Sequence, residues 1–296
     1  MANANWDWRA EELGPARTLE LDGGRLRAHV TGEGPPVVFV HGLLVNANLW
    51  RGVVPRLDGF TRVALDMPLG SHLVPMPSRR LTPDDLGALI GEAVTALGLE
   101  DVTLVGNDTG GALCQIAASR RPAWLGRLVL TSCDAFEHFP PPMLKPLFAS
   151  LRLPGGALAA MAPLRARAAR RLPIAYGLLT HGPIPDAPSD SYVLPSLTNA
   201  EVRADMVRVC RGVDACFTIK AGEELRAFDR PALIAWSADD KFFPRADGER
   251  LVATIPGARF ELVEGARTFS PEDRPERLAE LIASFARDGA PVGGAA

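Results

Sequence analysis

Cysteine is scarce in this chain of 296 residues, which contains only four. They are Cys114, Cys133, Cys210 and Cys216. Their spacing gives neither a CxxC pair nor a disulfide framework, so we expect buried thiols in a reducing compartment. Long hydrophobic runs are also lacking: no stretch reaches the roughly 18 apolar residues that a transmembrane helix needs. No metal-ligand spacing and no phosphate-binding glycine loop is present, and we therefore predict no cofactor and no metal site.

No charge of one sign predominates. The chain has 32 Lys and Arg against 35 Asp and Glu, a net charge of −3. This balance provides no broad basic surface, so neither nucleic acid nor a membrane is expected as a partner. The single dense basic patch comprises Arg165, Arg167, Arg170 and Arg171. We interpret it as a solvated helix face, with an anion site as the alternative. Residues 1–14 lack the apolar core of a signal peptide, and a cytoplasmic location is expected.

Short apolar runs alternate with helical stretches in the first part of the chain. The clearest run is 36–40, Pro-Val-Val-Phe-Val, and 61–65, 101–105 and 127–132 repeat its pattern. Continuous apolar runs are typical of strands that are covered on both faces of a parallel sheet. Residues 86–97 show apolar positions at helical spacing. This alternation predicts an α/β fold with a mostly parallel sheet flanked by helices.

The alternation stops at about residue 134. Residues 134–228 are rich in Pro, Ala, Leu and Arg and look helical, and strand patterns return at 231–236 and 258–263. A helical block between two strands of one sheet predicts an inserted cap. We therefore divide the chain into a core of 1–133 and 229–296 and a cap of 134–228.

An aspartate lies where the strand 101–105 turns sharply into a helix. The turn reads Gly106-Asn-Asp108-Thr-Gly110-Gly111. A nucleophile must stand clear of its backbone, and a tight strand-to-helix turn presents it only if small residues allow the chains to approach. The helix N-terminus below also favours a negative charge. We predict that Asp108 is catalytic; the alternative is a helix N-cap in a glycine-rich turn.

The order of motifs resembles the α/β-hydrolase fold over residues 17–287. The landmarks are His41-Gly42, the turn at Asp108, the run Asp240-Lys-Phe-Phe-Pro244 and the segment Gly265-Ala-Arg-Thr-Phe-Ser-Pro-Glu-Asp-Arg-Pro275. The resemblance implies an eight-stranded, mostly parallel sheet with a helical cap. It also implies an oxyanion hole formed by the backbone N–H groups of Leu43 and Thr109, a structural role for His41, and Asp240 as the carboxylate that orients a catalytic histidine.

An aspartate at this turn is similar to epoxide hydrolases and haloalkane dehalogenases. In those families the carboxylate attacks carbon to form an alkyl ester, which a histidine-activated water then hydrolyses. Here Thr268 occupies the position of that histidine, and threonine cannot act as a general base near neutral pH. The chain also departs from the dehalogenases at Leu43 and Thr109, where they often carry halide-binding Asn and Trp.

Three functions remain open. The favoured one is a cofactor-free enzyme in which Asp108 acts as an acid/base or a nucleophile on an apolar small molecule. Because the water-activating histidine is missing, we expect cyclisation, epoxide opening, elimination or a lyase-type reaction rather than hydrolysis. The second is an epoxide or halide hydrolase with a relocated base, for which His72 is the first choice. The third is a non-catalytic ligand-binding protein. Tyr176 and Tyr192 are possible proton donors, although packing in the cap is the simpler interpretation.

The pocket under the cap is expected to be apolar. Its candidate lining residues are Phe136, Phe139, Met143, Phe148, Leu151, Met161, Tyr176 and Leu179. Such a lining suits a medium-sized organic molecule.

Overall fold

The computed structural model describes residues 6–288 and contains one eight-stranded sheet in the order β1-β2-β4-β3-β5-β6-β7-β8. The strands are β1 (Ala16–Leu21), β2 (Gly24–Thr31), β3 (Pro36–Val40), β4 (Thr61–Asp66), β5 (Val102–Asp108), β6 (Leu125–Cys133), β7 (Ala232–Ser237) and β8 (Arg259–Val263). The first two strands pair antiparallel, and β2 also runs antiparallel to β4. All other neighbouring strands pair parallel. The predicted α/β fold with a mostly parallel sheet is therefore confirmed.

The structure contains ten α-helices within the described residues. They are α1 (Pro83–Ala96), α2 (Thr109–Ser119), α3 (Lys145–Leu151), α4 (Gly156–Met161), α5 (Asp186–Thr198), α6 (Ala200–Gly212), α7 (Ala215–Glu224), α8 (Arg245–Thr254), α9 (Ser270–Asp273) and α10 (Pro275–Asp288). Of these, α1, α2, α8 and α10 pack on the sheet. The first of them begins with a capping box in which Thr82 and Asp85 bond each other's backbone amides. Strand residues such as Val38, Leu104 and Leu130 are fully buried, as the continuous apolar runs predict. No helix within residues 6–288 is both long and apolar enough to cross a membrane.

The segment between β6 and β7 is helical and includes α3 to α7. It lies on loops that follow strands of the sheet: the Asn46 side chain donates to the Ser191 carbonyl at 2.9 Å, and the Arg267 side chain donates to the Gly177 carbonyl at 2.9 Å. The last helix of the block, α7, packs against α2 of the core. We keep the name cap for residues 134–228, although α7 belongs to the layer that covers the sheet.

Candidate active site

Asp108 lies at the tip of a strained turn between β5 and α2. It is the last residue of the strand, and the helix begins at Thr109. Its φ of 55° and ψ of −134° fall in a region that residues with a side chain rarely adopt. Its carboxylate makes no capping hydrogen bond to α2, so the alternative of a side-chain N-cap is wrong. The turn presents the carboxylate away from its own helix.

Two glycines make room for this turn. A Cβ atom on Gly110 would lie 2.4 Å from the Val40 carbonyl oxygen, and one on Gly42 would lie 2.0 Å from Asp108 Oδ2. Both distances are far below a normal contact. The loop after β3 therefore lies directly against the Asp108 carboxylate, which only the missing side chain of Gly42 permits.

Burial dominates the electrostatics of Asp108 and raises its pKa to about 7, because charge is costly away from water. The negative charge of Asp240 raises the pKa further, while hydrogen bonds from the Thr109 and Leu43 amides lower it. Leu43 and Thr109 are the residues predicted to supply the oxyanion hole. In this structure their amides stabilise the charged form of the Asp108 carboxylate, and together with burial this leaves the group close to half ionised at neutral pH.

Thr268 occupies the loop after β8 and is fully buried. Its hydroxyl donates to Asp240 Oδ1 at 2.9 Å, and its carbonyl accepts from the Asn107 side chain at 2.7 Å. The same Asp240 oxygen also accepts from the amides of Phe242 and Phe243 at 2.8 and 2.9 Å. By contrast, Asp240 Oδ2 is buried and has no partner among the described residues. Asp240 thus retains an oxygen that accepts no direct hydrogen bond from residues 6–288, although the nearby Ser132 hydroxyl lowers the pKa of this carboxyl.

A third carboxylate, which the sequence interpretation missed, lies in the same site. Asp134 directly follows β6, is 1% exposed, and accepts a hydrogen bond from the Thr109 hydroxyl at 3.2 Å. Burial and then the charge of Asp108 raise the pKa of Asp134 well above its ordinary value. The protonated form of Asp134 is therefore favoured over the charged form. Its position just past a predicted buried strand, at the carboxyl edge of a parallel sheet, is the signal that points to it.

None of the five histidines of the chain, all of which lie within residues 6–288, hydrogen-bonds to Asp108 or Asp240. They are placed as follows: His29 bonds the Gly14 carbonyl, His41 the Gly42 carbonyl and the Met67 amide, His72 the Gly70 amide and Asp205, His138 Asp247, and His181 Asp239. Burial lowers the pKa of His41 to about 4, so it is neutral and holds the loop after β3, which fits the predicted structural role. Both ring nitrogens of His72 are occupied at 3.3 and 3.0 Å.

The two cap tyrosines approach each other but direct their hydroxyls elsewhere. Their ring centroids are 6.2 Å apart. The Tyr176 hydroxyl donates to the Leu44 carbonyl at 2.7 Å, and the Tyr192 hydroxyl donates to Glu272 at 3.1 Å. Leu44 follows Leu43, the predicted oxyanion-hole residue, and has a strained φ of 57°. Tyr176 therefore braces the loop that binds Asp108, and neither hydroxyl bonds the carboxylate.

The apolar lining predicted for the cap is partly wrong. Met143 is 58% exposed, because it lies in a short surface turn before α3. Phe139, Leu151 and Met161 are buried in the hydrophobic core. Among residues 6–288, no group of three or more His, Cys, Asp and Glu side chains is arranged to hold a metal ion.

Comparisons with known proteins agree with this geometry. Residues 35–275 match the model of the alpha/beta hydrolase fold family. Haloalkane dehalogenase 2 of Mycobacterium tuberculosis is 28% identical, with 92% of this chain and 95% of that protein covered. An uncharacterized hydrolase of Bacillus subtilis, YugF, is 25% identical over 93% of this chain and 99% of its own length.

Solved structures show the same fold. The haloalkane dehalogenase DatA from Agrobacterium tumefaciens superimposes with a TM-score of 0.80 at 21% identity, covering 95% of this chain and all of that one. An alpha/beta hydrolase fold protein from Burkholderia ambifaria gives a TM-score of 0.77 at 23% identity, with 90% of this chain and 97% of that chain covered. The chain belongs to the alpha/beta hydrolase fold family and is, by that family resemblance, an enzyme of the hydrolase type.

Proposed function

We propose that this protein is a cofactor-free enzyme in which Asp108 carries out acid/base or nucleophilic chemistry on an apolar small molecule without hydrolysing an ester intermediate. The observation that carries the proposal is the pairing of Thr268 with Asp240. A hydroxyl bonds the carboxylate that would orient a histidine, so no side chain is present there to activate water.

The electrostatics of Asp108 support proton transfer. A general acid or base works best when its pKa lies near the working pH, and burial brings the pKa of Asp108 to about 7. The amides of Leu43 and Thr109 stabilise the charged carboxylate, and one of its oxygens can take a proton from a substrate carbon or attack that carbon. Cyclisation, epoxide opening, elimination and lyase-type reactions all use one of these two steps.

The two alternative functions have less support. A hydrolase with His72 as its base needs a free ring nitrogen, but the Gly70 amide and Asp205 bond both nitrogens. A non-catalytic binding protein gives no reason for the strained backbone of Asp108, whose cost of about 1–3 kcal/mol is usually found where a side chain must be presented for a task.

Incubation with a reactive epoxide in water labelled with heavy oxygen tests the proposal. Styrene oxide is expected to modify at most one carboxylate per chain and to give no diol that contains the heavy oxygen. Repeated turnover to labelled diol would establish the hydrolase instead. Tight binding of a ligand without turnover or adduct, unchanged by Asp108→Ala, would favour the binding protein.

Asp240→Asn is expected to lower the pH at which Asp108 becomes reactive. The charge of Asp240 raises the pKa of Asp108, so its removal shifts the midpoint below about 7, and the ionised form gains population at lower pH. The rate of carboxylate labelling measured against pH gives this midpoint. Asp134→Asn is the matched control: the charge of Asp240, and not that of Asp134, raises the pKa of Asp108, so the midpoint for Asp108 in this variant should stay close to that of the wild type. Equal shifts of the labelling midpoint in the two variants would contradict the conclusion that the charge of Asp240 raises the pKa of Asp108.

Tyr176→Phe separates a bracing role from proton donation. Loss of the hydroxyl removes the bond to the Leu44 carbonyl, and we expect a decrease of less than about tenfold in the labelling rate because one neutral hydrogen bond is worth about 1 kcal/mol. Tyr192→Phe should have a smaller effect, since its hydroxyl bonds Glu272 rather than the oxyanion loop. A hundredfold loss in either variant, restored by adding an external acid, would instead identify a proton donor.

A further inference from the structure

A cavity in the cap lies beside the basic patch of the sequence. It has a volume of about 240 Å³ and is lined by residues of the segment 167–189. The lining side chains that carry the argument are Arg167, Arg170, Arg171, Tyr176, Ile184 and Ser189. Arg170 is 4% exposed, so the expectation of a solvated helix face is wrong for this residue.

Arg170 is held rigidly yet keeps a free donor. Its Nη1 group donates to Asp190 at 2.6 Å and to the Ser189 hydroxyl oxygen at 2.9 Å, and its Nε group donates to the Leu164 carbonyl at 2.8 Å. Within residues 6–288 its Nη2 group makes no hydrogen bond. The Ser189 hydroxyl likewise has no acceptor for its proton in this part of the chain. A buried, oriented guanidinium with a free N–H pair is prearranged to bind an oxyanion.

The charges around the cavity leave one positive charge uncompensated. Arg167 pairs with Asp186 and Asp190, and Arg170 shares Asp190. Arg171 makes no ion pair among the described residues. Three arginines against two aspartates give a net charge of +1, while His181 at the rim is paired with Asp239. This balance suits a monoanion better than a dianion.

We propose that this cavity binds the carboxylate of a small organic acid. The Arg170 Nη2 group, the Ser189 hydroxyl and the Arg171 guanidinium supply the donors. The ring of Tyr176 and the side chain of Ile184 provide an apolar wall for a short alkyl chain. The volume lies below the roughly 300–1,000 Å³ of typical drug-sized pockets, which restricts the ligand to a small acid.

This cavity is separate from the candidate active site at Asp108. Asp108 does not line the cavity, and Tyr176, whose hydroxyl bonds the Leu44 carbonyl, forms the wall on the side of the oxyanion loop. Binding of the acid therefore needs neither an ionised Asp108 nor turnover. Asp108→Asn should bind the acid as the wild type does, which separates this proposal from the proposed function.

Calorimetric titration of the full chain tests the site, with hexanoate as the probe and hexanol and inorganic phosphate as comparisons. Hexanoate should bind, while hexanol should bind far more weakly because it lacks the charge. Arg171→Ala should weaken hexanoate binding by about tenfold, the usual worth of one charge-assisted hydrogen bond, and Arg171→Glu should abolish it.

Arg165→Ala is the matched control, because Arg165 is exposed, makes no ion pair among the described residues and does not line the cavity. It should bind hexanoate like the wild type. Equal losses in the Arg165 and Arg171 variants would show a diffuse electrostatic effect and overturn the proposal. Tighter binding of phosphate than of hexanoate, or no heat of binding with hexanoate at millimolar concentration, would overturn it as well.

Discussion

Asp108→Asn is expected to reduce labelling by styrene oxide, and turnover of the true substrate, by about a thousandfold or more. An amide neither attacks carbon nor accepts a proton at neutral pH, whereas it matches the carboxylate in size and shape and keeps an oxygen that can accept from the amides of Leu43 and Thr109. The turn itself therefore stays intact, and the loss reports on the chemistry of the carboxylate. Intact-protein mass spectrometry over time gives the labelling rate.

The stability of Asp108→Asn against pH shows whether this variant is correctly folded. Burial gives Asp108 a pKa of about 7 in the folded protein against an ordinary value of 3.8, so the folded state binds more protons between these values. Stability is therefore lost as the pH rises through this window, and the loss is complete above about 7. The amide that replaces the carboxylate never ionises, and thermal unfolding should show Asp108→Asn to be at least as stable as the wild type under weakly alkaline conditions. The advantage should shrink towards pH 4. Unchanged labelling in a well-folded variant would refute the role of Asp108.

Thr268→His is expected to convert a trapped ester into one that turns over. Asp240 Oδ2 is buried without a partner among the described residues and can accept an imidazole N–H, which would orient the other ring nitrogen as a base for water. A well-placed general base contributes about 10²–10⁴-fold, and the ester should therefore be hydrolysed at least a hundredfold faster than in the wild type. Heavy-oxygen incorporation into the diol from styrene oxide measures the gain.

A control variant is needed to show that the gain in ester hydrolysis comes from the imidazole and not from the larger size of the side chain at position 268. Thr268 is fully buried, so a larger side chain costs about 1–3 kcal/mol of overpacking. Thr268→Gln carries a similar bulk without a basic nitrogen and should leave the ester trapped. The double variant Thr268→His with Asp240→Asn should lose much of the new activity, because the orienting carboxylate is gone. Equal diol formation by the Gln and His variants would contradict the mechanism.

The sequence predicted the residues that local pattern determines. Asp108 lies in a turn whose glycines are required by close backbone approach, so the local sequence was enough to predict its position, whereas Asp240 was assigned from the resemblance to the α/β-hydrolase fold. Asp134 directly follows β6, yet it was missed because the cap was taken to begin there. Its role depends on the Thr109 hydroxyl, a contact between two elements.

Contacts between distant elements could not be predicted. His72 bonds Asp205, which lies 133 positions away on a cap helix, and no local pattern gives that partner. Tyr176 reaches the Leu44 carbonyl across 132 positions. Arg170 belongs to a basic run that is typical of a solvated helix face, but its ion pair with Asp190 on α5 holds it in the interior. In each case the packing of the cap on the core decides the role of the side chain.

Peptide mapping after incubation with styrene oxide is the most direct test of whether Asp108 is the reactive carboxylate of this protein and lacks a base to release its ester. We predict one stable ester, located on Asp108, with none on Asp134 or Asp240. An ester on either of those residues, no ester at all, or rapid release of diol by the wild type would contradict the account.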